Sequence, residues 1–194
     1  MSIPSSGNMG CALEVVLADM GAKVTLISGP TSLTLADRSI EFVKVVNAQE
    51  MFQAGAVHYP DSKIAVFAAA VADFTPQEKS AIKIKKEGNN THLALTSTKD
   101  IALEMGRIKQ QHQINVGFAL ETNDEETNAR EKLKKKNFDF IVLNSLNDRG
   151  AGFAHDTNRI TIIDQDNNPT KFELKPKKDV AHDIVSHILK NSQL

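Results

Sequence analysis

One carboxylate and a set of lysines are the groups in this chain that could do chemistry together. Asp73 follows three alanines, Ala68–Ala70, which close an apolar run, Ile64–Phe67; beyond a proline-containing loop comes a cationic stretch, Lys83-Ile84-Lys85-Lys86. Small residues at the C-terminal end of a strand let a ligand approach the backbone, and in open α/β sheets ligands bind at that end. An acid and several lysines carried there suit an anionic, phosphorylated ligand. Lys132 and Lys136 stand at i and i+4 of a charged helical pattern, share a face, and could grip one polyphosphate together. Ser5-Ser6-Gly7-Asn8-Met9-Gly10 precedes another helical pattern, where free N–H groups and the helix dipole favour an anion. Asn144, at the end of a strand, can hydrogen-bond a ligand or merely cap a turn. Each feature also has a plainer reading: an ordinary capped helix for the Ser/Gly run, a solvated face for the lysines.

Other chemistries find little support. His58, His92, His112 and His155 are scattered, and His182 and His187 fall on different faces of the last helix. With no CxxC or HExxH, no metal site is assigned to the protein's own ligands. There is no GxSxG, and the single cysteine, Cys11, lies at a helix start, so a serine or cysteine nucleophile is poorly supported. The chain lacks GxxxxGK[ST] and GxGxxG, which argues against an ordinary P-loop enzyme and lowers the odds of NAD binding. What remains is a lysine-rich phosphate site, with Mg²⁺ sharing the charge, suited to phosphoryl or nucleotidyl transfer.

The elements that must position these groups alternate. Helical patterns cover Ala12–Met20, Ala48–His58, Asp100–Ile108 (with Thr98 as N-cap), Glu125–Lys136 (capped by Thr122 or Asn123) and Lys177–Leu189. Strands are expected at Lys23–Ser28, Glu41–Val46, Ile64–Phe67, Asn115–Leu120 and Phe138–Leu143. Hairpins are expected from Ile82–Lys86 with His92–Thr96 and from Arg159–Asp164 with Lys171–Leu174, and Arg149–Thr157 reads as a lid loop. This predicts an α/β fold: a doubly wound, mostly parallel, Rossmann-like sheet with helices on both faces and added β-hairpins. Such domains open with a strand before the glycine loop, so the N-terminal strand is expected to be missing here. A chain of 194 residues with net charge −1 reads as a single domain, 1–194, with no global field for nucleic acid or membranes. One cysteine and no long apolar run suggest a cytoplasmic protein.

Several ordered segments carry a family resemblance. They are SSGNMG and SGPTSL near the start, AAAVADF at Ala68–Phe74, KIKK at Lys83–Lys86, TKDI at Thr98–Ile101, GFALET at Gly117–Thr122, KLKKKNFDFIVLN at Lys132–Asn144, and the Gly152–Asn158 stretch. Together they resemble phosphopantothenoylcysteine synthetase, the ligase of coenzyme A biosynthesis, over nearly the whole chain. The resemblance implies that CTP (ATP less so), with Mg²⁺, activates the carboxylate of 4′-phosphopantothenate as an acyl-cytidylate. L-Cysteine then captures it, releasing CMP. It implies Lys83 as the catalytic lysine. Phe67, Ala68 and Ala69 would lie beside the nucleotide and acyl group, Asp73 would contact the nucleotide, and Thr98, Lys99, Asp100 and Ile101 would read the base. Phe118 would pack near the base, Lys132 and Lys136 would contact phosphates, and Ser6, Gly7, Ala69 and Asn144 would bind substrate. It also implies a homodimer and a fused or associated flavoprotein decarboxylase. Two departures stand out: Thr98-Lys99 replaces the commoner Asn-Pro, and Ile3 occupies the position where an active-site Asn is expected. A catalytically impaired nucleotide-binding module derived from that ligase is the alternative, and an NAD(P)-binding oxidoreductase is the third reading.

Overall fold

The computed structural model describes residues 8–31, 40–78, 80, 82, 92–121, 124–145 and 156–191. Among them, five strands make the main sheet, in the order β10-β9-β7-β6-β3. These are β3 (Ile64–Phe67), β6 (Ile114–Glu121), β7 (Phe140–Ser145), β9 (Ile160–Asp164) and β10 (Pro169–Lys171). β3, β6 and β7 run parallel, and β9 and β10 add an antiparallel margin. A separate parallel pair joins β1 (Thr25–Ser28) to β2 (Glu41–Lys44). Two small ribbons pair β4 (Phe74–Pro76) with β5 (Leu95–Ser97) and β8 (Thr157–Asn158) with β11 (Lys175–Pro176).

The parallel sheet is buried on both faces, so most positions of β6 and β7 carry apolar side chains. Val116, Phe140 and Val142 face α1 (Asn8–Asp19) and α5 (Lys177–Asn191), packing against Leu13, Val16, Ile184 and Val185. Ala119, Ile141 and Leu143 face the other way, toward α3 (Ile101–Arg107) and α4 (Glu125–Lys135). α2 (Ala48–His58) contacts β1 and α3. Asn47 caps it: its side chain accepts the Glu50 N–H at 2.9 Å while Glu50 reaches back to the Val46 N–H at 2.8 Å, a reciprocal arrangement that satisfies two orphan donors. Helices thus cover both faces, as the alternation predicts. No helix among the described residues is long and apolar enough to cross a membrane.

Several local expectations are corrected. Asp100, not Thr98, caps α3, its Oδ1 accepting the Leu103 N–H at 3.1 Å. The carboxylate sits immediately before the first helical residue, where it reaches that donor, and Thr98 is engaged elsewhere. Leu95–Ser97 pairs with Phe74–Pro76, and the expected hairpin of Ile82–Lys86 with His92–Thr96 falls, but for Ile82 and 92–96, outside the described residues. Residues 83–91 lie outside the described residues. At α4 the N-cap position is Asp124, in left-handed conformation (φ 46) and without a side-chain cap bond. The expected caps Thr122 and Asn123 are not described, nor is most of the Arg149–Thr157 loop.

A buried polar network locks the lower edge of the sheet. Lys109 Nζ pairs with Asp139 at 2.6 Å, and the Asn115 N–H and Gln165 Nε2 donate to the same carboxylate at 2.6 and 3.1 Å. Tyr59 Oη donates to Asn115 Oδ1 at 3.0 Å, and Gln113 Nε2 donates to the Tyr59 carbonyl at 2.7 Å. The Lys109 ammonium is nearly buried and fully partnered, the condition under which a buried charge is tolerated. On α1, burial pushes the Glu14 carboxyl up, and the Cys11 thiol beside it is raised by burial and by that carboxyl. His187 lies edge-on to Phe140 and Phe172, and burial lowers its affinity for a proton.

Candidate functional site

The site begins where β3 stops. Its pairing with β6 ends at Phe67 opposite Gly117, while β6 continues to Glu121 and β7 to Ser145. The chain therefore leaves the sheet at Ala68 while its neighbours run on, which opens a step at the strand ends. Ala68 is half-buried and Ala69 and Ala70 are exposed, so the backbone there is accessible. The step is made by close packing underneath. The Phe138 ring lies against Gly117, where a Cβ would meet ring carbons at 2.1 Å, and its centroid is 5.7 Å from that of Phe67. Gly117 is thus a strand glycine that makes room for the Phe138 ring.

A second segment docks on this step. The Thr98 hydroxyl donates to the Ala72 carbonyl at 2.6 Å, and the Thr98 N–H donates to the Asp73 carbonyl at 2.9 Å. Ala68–Asp73 and Thr98–Ile101 therefore form one unit, with the Asp73 side chain exposed. Lys99 lies with its Nζ 4.4 Å from the centre of the Phe52 ring on α2, a cation–π contact. Asp100 Oδ2 accepts from Lys136 Nζ at 3.0 Å. Three of the four residues expected to read a base are thus engaged with protein: the Thr98 hydroxyl on a carbonyl, the Lys99 cation on a ring, and the Asp100 carboxylate on a helix cap and a lysine.

The other expected residues divide between the two faces of the sheet. Phe67 packs with the α3/α4 face. Phe118 packs with the α1/α5 face. Asn144 follows Phe140 and Val142 in alternation, so it shares the Phe118 face. The register sets Phe118 opposite Val142 and Leu120 opposite Asn144, which makes Phe118 and Asn144 diagonal neighbours. Asn144 Oδ1 is buried and has no hydrogen-bond partner among the described residues. A buried acceptor without a partner is costly.

Lys132 and Lys136 do not join Asn144. They close α4 just before β7 begins, whereas Asn144 lies near the other end of that strand. Lys136 joins the Thr98–Ile101 unit through Asp100 instead. Ser6, Gly7 and Lys83 lie outside the described residues. No group of three or more His, Cys, Asp or Glu side chains among the described residues could hold a metal ion. A Mg²⁺ ion here would need substrate phosphates as ligands, with exposed Asp73 as a carboxylate at the step; this fits an ion that keeps water and phosphate around it.

Comparison with known proteins gives consistent relatives. Residues 1–192 match the family model described as the DNA/pantothenate metabolism flavoprotein C-terminal domain. A protein of an unknown prokaryotic organism named cysteine/cysteine sulfinic acid decarboxylase is 54% identical over 185 residues, covering 95% of this chain and 52% of that one. The coenzyme A biosynthesis bifunctional protein CoaBC of Bacillus subtilis (strain 168) is 43% identical over 184 residues, 95% of this chain and 45% of that protein. The crystal structure of the C-terminal domain of a CoaBC protein superposes with a TM-score of 0.80 at 35% identity, covering 98% of this chain and 86% of that chain. The chain spans about half the length of the curated relatives it matches.

Proposed function

Because the chain belongs to the DNA/pantothenate metabolism flavoprotein C-terminal domain family, we propose that its strand-end step is the site of a nucleotide-dependent ligase that joins 4′-phosphopantothenate to L-cysteine. The observation that carries the reading is the pairing of Asn144 with Phe118. A buried acceptor with no partner among the described residues sits diagonally beside a half-buried aromatic ring, on one face, at the strand ends. A planar base with an amino group meets both needs, stacking on the ring and donating to Asn144 Oδ1. CTP is the nucleotide proposed, with Mg²⁺ accompanying its triphosphate.

In the proposed reaction a carboxylate oxygen of the acid attacks the α-phosphorus, pyrophosphate leaves, and an acyl-cytidylate forms. The cysteine amine then attacks the acyl carbon and CMP departs. The amine is its own nucleophile, so no activated serine or cysteine is required of the protein. What the chain must supply is positioning and positive charge. The exposed backbone at Ala68–Ala69 lets the acyl group lie close, and Lys83 is the group proposed to stabilise charge at the α-phosphate. The decarboxylase and bifunctional names of the relatives describe whole proteins; a flavoprotein decarboxylase half is proposed as the natural companion of this domain. The exposed ribbon side chains Phe74 and Leu95, with Leu93 just before the ribbon, suit burial against a second copy.

Calorimetric titration with Mg·CTP, against Mg·ATP and NADPH, tests the reading. Binding of CTP at least about tenfold tighter than ATP is expected, a difference of about 1.4 kcal/mol. Equal affinity would remove the base assignment, and preference for NADPH would replace the ligase by an oxidoreductase. Sedimentation of the same samples should show a dimer; a pure monomer with full nucleotide affinity would dispose of the second copy.

A further inference from the structure

We propose that Phe52, on α2, is a positioning residue for the base: its ring holds the Lys99 cation, fixes the Thr98–Ile101 segment against the strand-end step, and so sets selectivity between nucleotides. The proposal rests on reading the step as the ligase site.

Thr98, Lys99 and Asp100 lie in no helix or strand, so their course is set by contacts. Lys99 Nζ stands 4.4 Å from the centre of the Phe52 ring. A cation over an aromatic face is attracted by the ring's quadrupole, worth about threefold in an equilibrium constant at an exposed site. The ring is half-buried and the lysine exposed, so the ring is the fixed partner of the two. Ile101 meets the same helix: a Cβ on Gly55 would lie 4.0 Å from its Cγ2, an ordinary contact. Phe52 and Gly55 stand at i and i+3 and share a face of α2. That face is the seat of the segment.

Both ends of this brace lead to β3. At one end the Thr98 hydroxyl and N–H donate to the Ala72 and Asp73 carbonyls, in the stretch that follows β3. At the other, α2 runs into a single 3-10 turn, Tyr59–Asp61, and from there into β3. That turn is fastened to the sheet: Tyr59 is buried, and its hydroxyl donates to Asn115 Oδ1 at 3.0 Å. The contacts therefore close a circuit from β3 through the step, Thr98, Lys99, Phe52 and α2 back to β3. Without the ring, the segment's hold on α2 falls to the light Ile101–Gly55 contact. A loosely placed segment still lets a triphosphate bind but discriminates less between bases, because reading a base edge needs groups held in place.

Four variants test this. Phe52→Leu keeps apolar bulk without a ring, Phe52→Tyr keeps the ring, Lys99→Met removes the cation, and the fourth combines Phe52→Leu with Lys99→Met. Lys99 is exposed, so its variant tests the contact without disturbing the helix. Each is titrated with Mg·CTP, Mg·ATP and Mg·pyrophosphate, which has no base. The ratio of CTP to ATP affinity should fall about threefold in Phe52→Leu and in Lys99→Met, and no further in the combined variant, because the two side chains act as one unit. Phe52→Tyr should keep the parent ratio, and pyrophosphate affinity should be unchanged in Phe52→Leu. An unchanged ratio in Phe52→Leu overturns the proposal. So does an equal loss for CTP, ATP and pyrophosphate, which would make the ring part of the scaffold only. If the unsubstituted protein binds no nucleotide, or binds CTP and ATP equally, the base assignment fails by itself. Hydrogen exchange at the Thr98 amide then decides whether Phe52 holds the segment: about threefold faster exchange in Phe52→Leu supports it, and unchanged exchange contradicts it.

Discussion

Replacing Lys83 by glutamine is expected to lower acyl-cytidylate formation by about 10²–10³-fold while leaving CTP affinity within about threefold. The reason is where charge develops. When a carboxylate attacks an α-phosphate, the transition state carries more negative charge on the transferring group than the bound nucleotide does. A cation placed for that moment stabilises the transition state over the ground state, and removing one such group costs about 3–4 kcal/mol. Glutamine keeps the length and some hydrogen-bonding capacity of lysine but no charge. Release of pyrophosphate from CTP and 4′-phosphopantothenate, without cysteine, reads this half-reaction directly. An unchanged rate would sink the role assigned to Lys83. A loss that appears wholly as weaker CTP binding would make it a ground-state phosphate contact.

The second large effect concerns the scaffold. Gly106→Ala should destabilise the chain by about 3 kcal/mol or more, lowering Tm by roughly 6–12 °C for a protein of this size. A Cβ at Gly106 would stand 2.1 Å from the Lys136 carbonyl oxygen and 2.9 Å from its carbon. Both are backbone atoms, so no side chain can rotate away. Relief requires α3 and α4 to part, and that would also open the Asn137–Gly106 bond and pull on the Lys136–Asp100 pair. Thermal unfolding followed by circular dichroism measures the effect. A Tm within about 2 °C of the parent would mean that the two helix ends are not in contact in solution.

These two residues show how unevenly the molecule is written in its sequence. Ile64–Phe67 and Ala48–His58 are found where their patterns predict them, residue for residue, because a short apolar run bounded by polar residues and an Asn-capped helix are local signals. The three alanines are legible as small residues beyond a strand end for the same reason, and Ala69 and Ala70 are exposed there. What could not be read depends on register or on pairs far apart in the chain. Nothing local tells Leu95–Ser97 to choose Phe74–Pro76, a partner some twenty residues away in the chain. Lys109 and Asp139 meet only because α3 ends beside the start of β7. The i, i+4 spacing of Lys132 and Lys136 was correct as geometry, yet it gave no hint that Asp100 would lie within reach of one of them. The diagonal placement of Phe118 beside Asn144 follows from the β6–β7 register, which fixes who stands beside whom.

The central claim is that a carboxylate is activated as its acyl-cytidylate before the amine attacks. It is tested most directly with 4′-phosphopantothenate labelled with ¹⁸O in the carboxylate, incubated with the protein, Mg·CTP and L-cysteine, the products being weighed by mass spectrometry. The account predicts one ¹⁸O atom in CMP, unlabelled pyrophosphate, and an amide retaining the other labelled oxygen. Amide formed with ¹⁸O in inorganic phosphate and CDP as co-product would show attack at the γ-phosphate and contradict the account, as would the absence of amide altogether.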